Sequence, residues 1–109
     1  MTSIPPPRIL AIDSTHALAW NNLGTLKETG GDLESALRCY ENSIRHDSTL
    51  SKGYVNRGNI RFALGEMAEA RRDFQTAVRL RPWDADAHYA MARVHAQSGE
   101  TESLIEELK

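Results

Sequence analysis

The stretch WNNLGTLKETGGDLESALRCY, residues 20–40, is the first of several near-copies within this chain of 109 residues. Glycine marks the copies, because Gly31, Gly65 and Gly99 recur at an interval of 34 residues and each precedes an acidic residue. Apolar side chains before each glycine are spaced by three and four residues, which is helical periodicity. An interval of 34 residues is typical of a helix–turn–helix unit that stacks into a solenoid. The sequence therefore predicts an all-α fold, an α-solenoid of stacked antiparallel helix hairpins.

Residues that lie 34 positions apart have similar side chains. The matched sets are Trp20, Tyr54 and His88; Leu26, Ile60 and Val94; Gly24, Gly58 and Ala92; and Tyr40, Phe74 and Leu108. This pattern resembles the tetratricopeptide repeat, in which a tryptophan and a leucine–glycine pair are followed by alanine, an aromatic residue and a closing proline. The chain carries that motif as Trp20-x2-Leu23-Gly24 with Ala36-x3-Tyr40, and then as Tyr54-x3-Gly58 with Ala70-x3-Phe74 and Pro82. The departures from the motif are Arg57 in place of the leucine, and Lys27, Arg61 and His95 in place of a second aromatic residue.

The resemblance covers residues 17–109 and implies about two and a half repeat units. The predicted organisation is an extended Pro-rich leader at 1–7, a remnant turn leading into the first helix at 8–16, a first unit at 17–50, a second at 51–84 and a truncated third at 85–109. Helices are predicted at 16–29, 33–46, 51–63, 67–80, 85–97 and 101–108. A turn is expected at each of the three glycines, because glycine tolerates the left-handed backbone of a helix end. The remnant turn at 8–16 favours the interpretation that this sequence is a fragment of a longer repeat array. The alternative is a short protein whose repeat array is degenerate at its start.

Composition and charge exclude several classes of function. The net charge of −2 provides no general attraction to nucleic acid or to anionic membranes. No apolar run is long enough to span a bilayer. Cys39 is the only cysteine, so an internal disulfide cannot form, which fits a cytoplasmic setting. The sequence contains no metal-ligand spacing, phosphate-binding glycine loop or catalytic constellation, and it predicts no cofactor and no enzymatic activity.

The resemblance implies that the first helix of each unit lines a concave groove, and that this groove binds a protein or peptide. The predicted groove residues are Asn21, Asn22, Thr25, Lys52, Val55, Asn56, Asn59, Phe62, Tyr89 and Arg93. Asn22 and Asn56 are in register, and an asparagine side chain both donates and accepts hydrogen bonds, so the pair is expected to hold the backbone of an extended peptide. The alternative for each asparagine is a solvated polar residue. Phe62 and Tyr89 are predicted to form apolar pockets for a partner side chain.

A carboxylate clamp, by which related domains bind the C-terminal tail of heat-shock chaperones, is a more specific alternative. Asn22 and Lys52 match two positions of that device. Asn56 stands where the clamp has an arginine, so the match is only partial.

The last part of the array carries apolar residues that nothing in the sequence covers. Leu104, Ile105 and Leu108 are predicted to leave apolar surface exposed, because each repeat buries its apolar face only against its neighbours. This favours self-association into a homo-oligomer, or docking of the last helix on another chain. A further alternative is a regulatory region of a larger protein whose catalytic part lies outside this chain.

Two further groups of residues are predicted to be structural. His88 and His95 occupy aromatic positions of the register, so they are expected to pack in the core rather than to bind a metal. The arginines of one second helix are expected to form a solvated convex face away from the groove, interleaved with acidic residues: Arg71, Arg72, Arg79 and Arg81, with Glu69 and Asp73.

Overall fold

The computed structural model describes the backbone of residues 13–107 and the side chains of residues 13–97. Within this range the helices are α1 (Ser14–Thr29), α2 (Leu33–His46), α3 (Ser51–Ala63), α4 (Met67–Leu80) and α5 (Ala85–Glu107). No strand occurs in the same range, and the predicted all-α fold is confirmed. The bounds of α2, α3 and α4 agree with those predicted from the sequence. The leader at 1–7 and residues 8–12 of the remnant turn lie outside the described residues.

None of the helices in the part of the chain that the structure describes is long and apolar enough to cross a membrane.

The hairpin turns at Gly31 and Gly65 have the left-handed backbone that glycine favours, with φ of 85° and 82°. At the first of them the N–H of Gly31 donates to the carbonyl of Glu28, and the N–H of Asp32 donates to that of Lys27, both at 2.9 Å. The turn at Gly65 repeats this pair of bonds. This arrangement is the Schellman motif, which satisfies carbonyl groups at a helix end and requires a residue that adopts a positive φ.

Acidic residues cap two of the helices that follow turns or loops. A carboxylate oxygen of Asp32 accepts from the N–H of Ser35 at 3.1 Å at the start of α2. One of Asp84 accepts from the N–H of Asp86 at 3.0 Å at the start of α5. Glu66 stands in the same place before α4, but its side chain forms no capping bond. Asp is the better cap because its shorter side chain reaches the free N–H groups of the first turn.

The third glycine behaves differently, because α5 continues through Gly99 to Glu107. The predicted break into helices at 85–97 and 101–108 is therefore wrong. In the first two units the turn is stabilised by a second helix whose aromatic ring rests on a glycine of the first helix. In the third unit the small residue is Ala92, which is exposed. Glycine inside a helix costs only about 1 kcal/mol relative to alanine, so Gly99 by itself does not end α5.

The helices form two layers. α2 packs against α1 and α3, and α4 packs against α3 and α5. α1 also contacts α3, and α3 contacts α5, so the first helices of the three units form a layer of their own. This is the arrangement of stacked repeats, in which each unit contacts only its neighbours. The layer of first helices carries the candidate site.

Equivalent contacts in successive units support the 34-residue register. The Tyr54 hydroxyl donates to the carbonyl of Ser48 at 2.9 Å. One unit later, Nε2 of His88 contacts the carbonyl of Pro82. Both contacts join the first helix of a unit to the loop before it, so residues of this register share their surroundings.

Aromatic rings of the second helices lie directly against glycines of the first helices. A Cβ atom on Gly24 would stand 2.5 Å from the Tyr40 ring, and one on Gly58 would stand 2.4 Å from the Phe74 ring. Both rings are fully buried. Burial raises the pKa of Tyr40 to about 12, and its hydroxyl donates to Oε1 of Glu28 at 2.8 Å. The two glycines therefore set how closely the helices of each hairpin approach.

In the second unit, an ion network joins α3 to α4 at positions that hold different side chains in the first unit. The side chain of Asp73 is only 4% exposed and accepts two bonds from Arg57, at 3.0 Å from Nε and 2.8 Å from Nη2. Nη1 of Arg61 donates to the same carboxylate at 3.2 Å. The corresponding residues of the first unit are Leu23, Lys27 and Cys39. The two arginine departures from the repeat motif therefore have one physical cause, since a buried carboxylate requires paired, hydrogen-bonded cations. The expectation that Asp73 belongs to a solvated face is wrong.

His88 and His95 are exposed, so the prediction that they pack in the core is wrong. They lie on the face of α5 that a second helix covers in the other units, and no second helix follows α5 among the described residues. In that same part of the chain, no group of three or more His, Cys, Asp or Glu side chains is placed to hold a metal ion.

Candidate functional site

The layer of first helices bears two adjoining cavities that together form a groove. The entrance cavity has a volume of about 350 Å³ and lies at the start of α3, between Leu18 of α1 and Arg81 and Asp84 of the loop before α5. The central cavity has a volume of about 470 Å³ and follows α3 toward its C-terminal end, between Glu28 of α1 and Arg93 of α5. The two cavities share wall residues of α3 and α5, so they are parts of one surface.

Seven of the ten predicted groove residues line these cavities: Lys52, Val55, Asn56, Asn59, Phe62, Tyr89 and Arg93. All seven come from α3 and α5. Tyr89 is 66% exposed, although a tyrosine ring has a large apolar face. Exposed aromatic rings at a concave surface offer contact area to a partner at low entropic cost.

The guanidinium of Arg93 lies between two aromatic rings, 4.8 Å from the ring centroid of Phe62 and 5.4 Å from that of Tyr89. Its Nη2 donates to Oδ1 of Asn59 on the neighbouring first helix. Its Nε is buried and has no hydrogen-bond partner among the described side chains. Cation–π contacts stabilise by about 0.5–1 kcal/mol at exposed sites and by about 2 kcal/mol where water is excluded. The two rings therefore hold this cation in a defined position in the central cavity.

The entrance cavity contains charges of both signs. Lys52 and Arg81 line it together with Asp84 and Asp86. The guanidinium of Arg81 also lies 6.0 Å from the ring centroid of Trp83. The expectation that Arg81 lies away from the groove is wrong, because the loop after α4 turns toward α3. Because positive and negative charges are balanced in the entrance cavity, it favours individual salt bridges with a partner. It does not favour general attraction to a partner that carries charge of one sign.

The asparagines do not pair as the register alone suggests. Nδ2 of Asn56 donates to Oδ1 of Asn21 at 2.8 Å, between residues that are 35 positions apart. Asn21 is 2% exposed, so it supports the groove from beneath rather than presenting its side chain to a partner. Asn22 is exposed and lines neither cavity. Thr25 also lies outside both, and its hydroxyl donates to the carbonyl of Asn21 at 3.2 Å. The Asn56–Asn21 bond therefore joins α1 and α3 one position out of register.

A mainly apolar groove of about 670 Å³ lies on another face of α5, between α4 and α5. We call it the hairpin seat, and its lining residues are Gln75, Val78 and Arg79 of α4 and His88, Met91, Ala92 and His95 of α5. Ala92 is in register with Gly58, on which a ring of the second helix rests. The hairpin seat is therefore the surface that a second helix covers in each of the preceding units. Of the predicted end-contact residues, Leu104 and Ile105 lie on the α5 backbone, but their side chains and all of Leu108 fall outside the described residues.

The groove also contains residues that were not predicted from the sequence. Glu28 is in register with Phe62, so the repeat could have placed it on the wall of the central cavity. Arg81 and Asp84 lie in the loop between units. Their place at the entrance depends on how that loop folds, for which the repeat pattern carries no signal.

Comparison with known proteins agrees with the repeat geometry. A family model described as tetratricopeptide repeat matches residues 17–48, and a second, described as TPR repeat, matches residues 58–99. The chain belongs to the tetratricopeptide repeat family. This TPR chain is 29% identical over 96 residues to NADPH oxidase activator 1 of Rattus norvegicus, in an alignment that covers 72% of the chain and 21% of the relative.

A second relative and a solved structure also match the TPR chain. The chain is 30% identical over 79 residues to the tetratricopeptide repeat and J domain-containing co-chaperone DNJ1 of Cryptococcus neoformans, which covers 72% of the chain and 15% of the relative. It therefore spans about a fifth or less of the length of these curated relatives. Its structure is similar to the second TPR domain of human RPAP3, solved with the HSP70 peptide SGPTIEEVD. The TM-score is 0.68 at 28% identity, covering 75% of this chain and 68% of that one.

Proposed function

We propose that the groove binds an extended segment of a partner protein, and that the chain is a protein-interaction module without catalytic activity of its own. The observation that carries the proposal is the convergence of seven groove residues from α3 and α5 on one concave surface. That surface combines an exposed aromatic ring, a positioned guanidinium and an exposed lysine. Such groups bind peptides, because aromatic and arginine side chains contribute most of the energy at protein interfaces.

The RPAP3 complex supports a peptide as the ligand class. A clamp for a terminal carboxylate is less well supported, because Asn56 is already bonded to Asn21 and Asn22 lines neither cavity. Titration with SGPTIEEVD carrying a free or an amidated C-terminus separates the two cases. Binding of the free form alone would favour the clamp, since only that form presents a terminal carboxylate.

Replacement of the exposed groove ring tests the proposal. Tyr89→Ala should weaken peptide binding about tenfold, because truncating an aromatic anchor at an interface centre removes its buried contact area. The ligands are peptides selected from a random library displayed on phage against the wild-type chain, and titration calorimetry measures Kd. Leu26→Ala is the control, since it removes an apolar side chain that is 68% exposed and lines neither cavity. Equal losses in the two variants, or an unchanged Kd for Tyr89→Ala, would contradict the proposal.

A cytoplasmic setting belongs to the same proposal. Cys39 is buried and forms no disulfide. A reducing compartment keeps such a thiol in its free form, whereas exported proteins commonly use cysteine in disulfides.

Self-association is a second candidate function, which the hairpin seat favours. α2 and α4 occupy the equivalent surfaces of the first two units, whereas the surface on α5 is open in the described part of the chain. The α5 backbone continues past residue 97, and the segment 98–107 carries Leu104 and Ile105. We infer that this segment enters the hairpin seat of a second copy in a reciprocal exchange, which is a low-cost route to a dimer.

A charge placed in the hairpin seat should prevent this dimer. Ala92→Glu is expected to convert dimer to monomer, because it buries a carboxylate where an apolar side chain of the partner copy would rest. Light scattering coupled to size exclusion, over a series of protein concentrations, reports the molar mass. Ala19→Glu on α1 is the control, since Ala19 is exposed and lines none of the three cavities. A wild-type chain that stays monomeric at every concentration would rule out the exchange.

A further inference from the structure

Arg93 is a partly buried cation that lacks a negative partner. Within the described residues it forms no ion pair, and its one hydrogen bond goes to the neutral amide of Asn59. Arg57 and Arg61, which are also partly buried, share the carboxylate of Asp73 instead. A guanidinium that is withdrawn from water without a counter-charge is penalised by desolvation. It therefore gains more than an exposed arginine from an incoming carboxylate, with which it forms charge-assisted hydrogen bonds.

The position of Arg93 is set before any ligand arrives. The rings of Phe62 and Tyr89 flank its guanidinium, and Asn59 accepts from Nη2. Because Nε is covered, a partner in the central cavity reaches the guanidinium through its Nη groups. A planar guanidinium held in this way loses little side-chain entropy on binding, so more of the interaction energy contributes to affinity.

We propose that Arg93 is the part of the groove that binds a side-chain carboxylate, so that the bound segment carries aspartate or glutamate beside Phe62 and Tyr89. This rests on the proposed function, because it specifies the chemistry of one residue in the segment that the groove binds. Glu28 and Asp86 line the same cavity, and they repel an acidic side chain placed elsewhere along its wall. The charges that line the central cavity therefore determine where along the bound segment the aspartate or glutamate lies, as well as favouring a particular net charge of that segment.

A double-mutant cycle between groove and peptide tests the inference. Peptides selected on phage against the wild-type chain are synthesised with the acidic residue intact or changed from Glu to Gln, and Kd is measured for the wild type and for Arg93→Gln. We expect selected peptides to be enriched in Asp or Glu at one aligned position. The glutamine peptide should bind the wild type about tenfold more weakly, since hydrogen bonds to charged groups are the strong ones. The same change should have little effect with Arg93→Gln.

Substitution by lysine separates geometry from charge. Arg93→Lys should recover only part of the preference for glutamate, because an ammonium group lacks the planar fork that pairs with both carboxylate oxygens. Full recovery would show that charge alone suffices, and the inference that the ring-held guanidinium sets the preference would then be overturned.

The remaining outcomes separate this inference from the proposed function. Selected peptides without any enrichment of acidic residues would overturn the inference and leave the binding groove standing, as would equal losses with wild type and Arg93→Gln. If the wild-type chain enriches no peptide, the proposed function fails and the inference fails with it. If Arg93→Gln proves unstable, Arg93→Lys takes its place in the cycle, because the wild-type comparison alone does not separate Arg93 from Lys52 and Arg81 of the adjoining cavity.

Discussion

Asp73→Asn is expected to lower the free energy of unfolding by about 3 kcal/mol, because it leaves two partly buried guanidinium groups without a counter-charge. Breaking a buried ion pair by removing one partner costs about 3–5 kcal/mol. The lower end applies here, since the side chains of Arg57 and Arg61 remain 20% and 21% exposed. Urea unfolding followed by far-UV circular dichroism measures the change.

The matched control for this substitution is Glu69→Gln, which also replaces a carboxylate on α4 that pairs with an arginine. The Glu69–Arg72 pair has a separation of 3.6 Å and is exposed, with side-chain exposures of 43% and 72%. Exposed pairs contribute about 0–1 kcal/mol, so Glu69→Gln should change stability little. Similar effects of Asp73→Asn and Glu69→Gln would show that burial does not strengthen the network.

A graft from the first unit shows whether the network is replaceable. The triple variant Arg57→Leu, Arg61→Lys and Asp73→Cys installs the residues found at positions 23, 27 and 39. It should recover to within about 1 kcal/mol of the wild type, because it removes the buried carboxylate together with one guanidinium and places at position 61 a lysine, whose ammonium group can extend to solvent. A triple variant as unstable as Asp73→Asn would mean that the second unit cannot accept the first unit's packing.

Gly58→Ala is expected to destabilise the chain by about 2 kcal/mol, although alanine is the better helix former. Helix propensity alone predicts a gain of about 1 kcal/mol. Against this, the new Cβ would stand 2.4 Å from the Phe74 ring, which is fully buried and cannot rotate into open space. Overpacking a core costs about 1–3 kcal/mol and occasionally more, and so close a contact belongs at the upper end.

Two further variants decide whether the ring is the cause. Gly30→Ala should be neutral or slightly stabilising, because its φ is −78° and the nearest atom to a new Cβ is 3.5 Å away. Adding Phe74→Leu to Gly58→Ala should cost less than the sum of the single changes, since the smaller side chain makes room for the methyl group. A Gly58→Ala chain that is more stable than the wild type would show that propensity outweighs packing here.

Both predictions concern the contact between α3 and α4, which lies behind the groove. Gly58 with Phe74 fixes the distance between these helices, and Arg57 with Asp73 ties them together. α3 carries five of the seven predicted groove residues that line the two cavities. The packing of the hairpin therefore positions the proposed binding surface, and variants that loosen it should impair binding as well as stability.

Much of the fold followed from local chemistry in the sequence. The turns at Gly31 and Gly65 require a residue with positive φ, and glycine adopts it without strain. The apolar spacing and the 34-residue register then located α1 to α4, and the resemblance to the tetratricopeptide repeat indicated the face of α3 and α5 that lines the groove. These features could be predicted because each depends on residues that are close in sequence or repeated at a constant interval.

Other features were decided only by the tertiary structure. Gly99 permits a turn, but α5 continues through it to Glu107. Asn56 pairs with Asn21, which lies one position out of register, and no spacing in the sequence specifies this contact. The placement of Arg81 at the groove depends on the fold of a loop. Periodicity determines which face of a helix is buried, but contacts between units depend on axial offsets and loop geometry, which a repeating pattern leaves open.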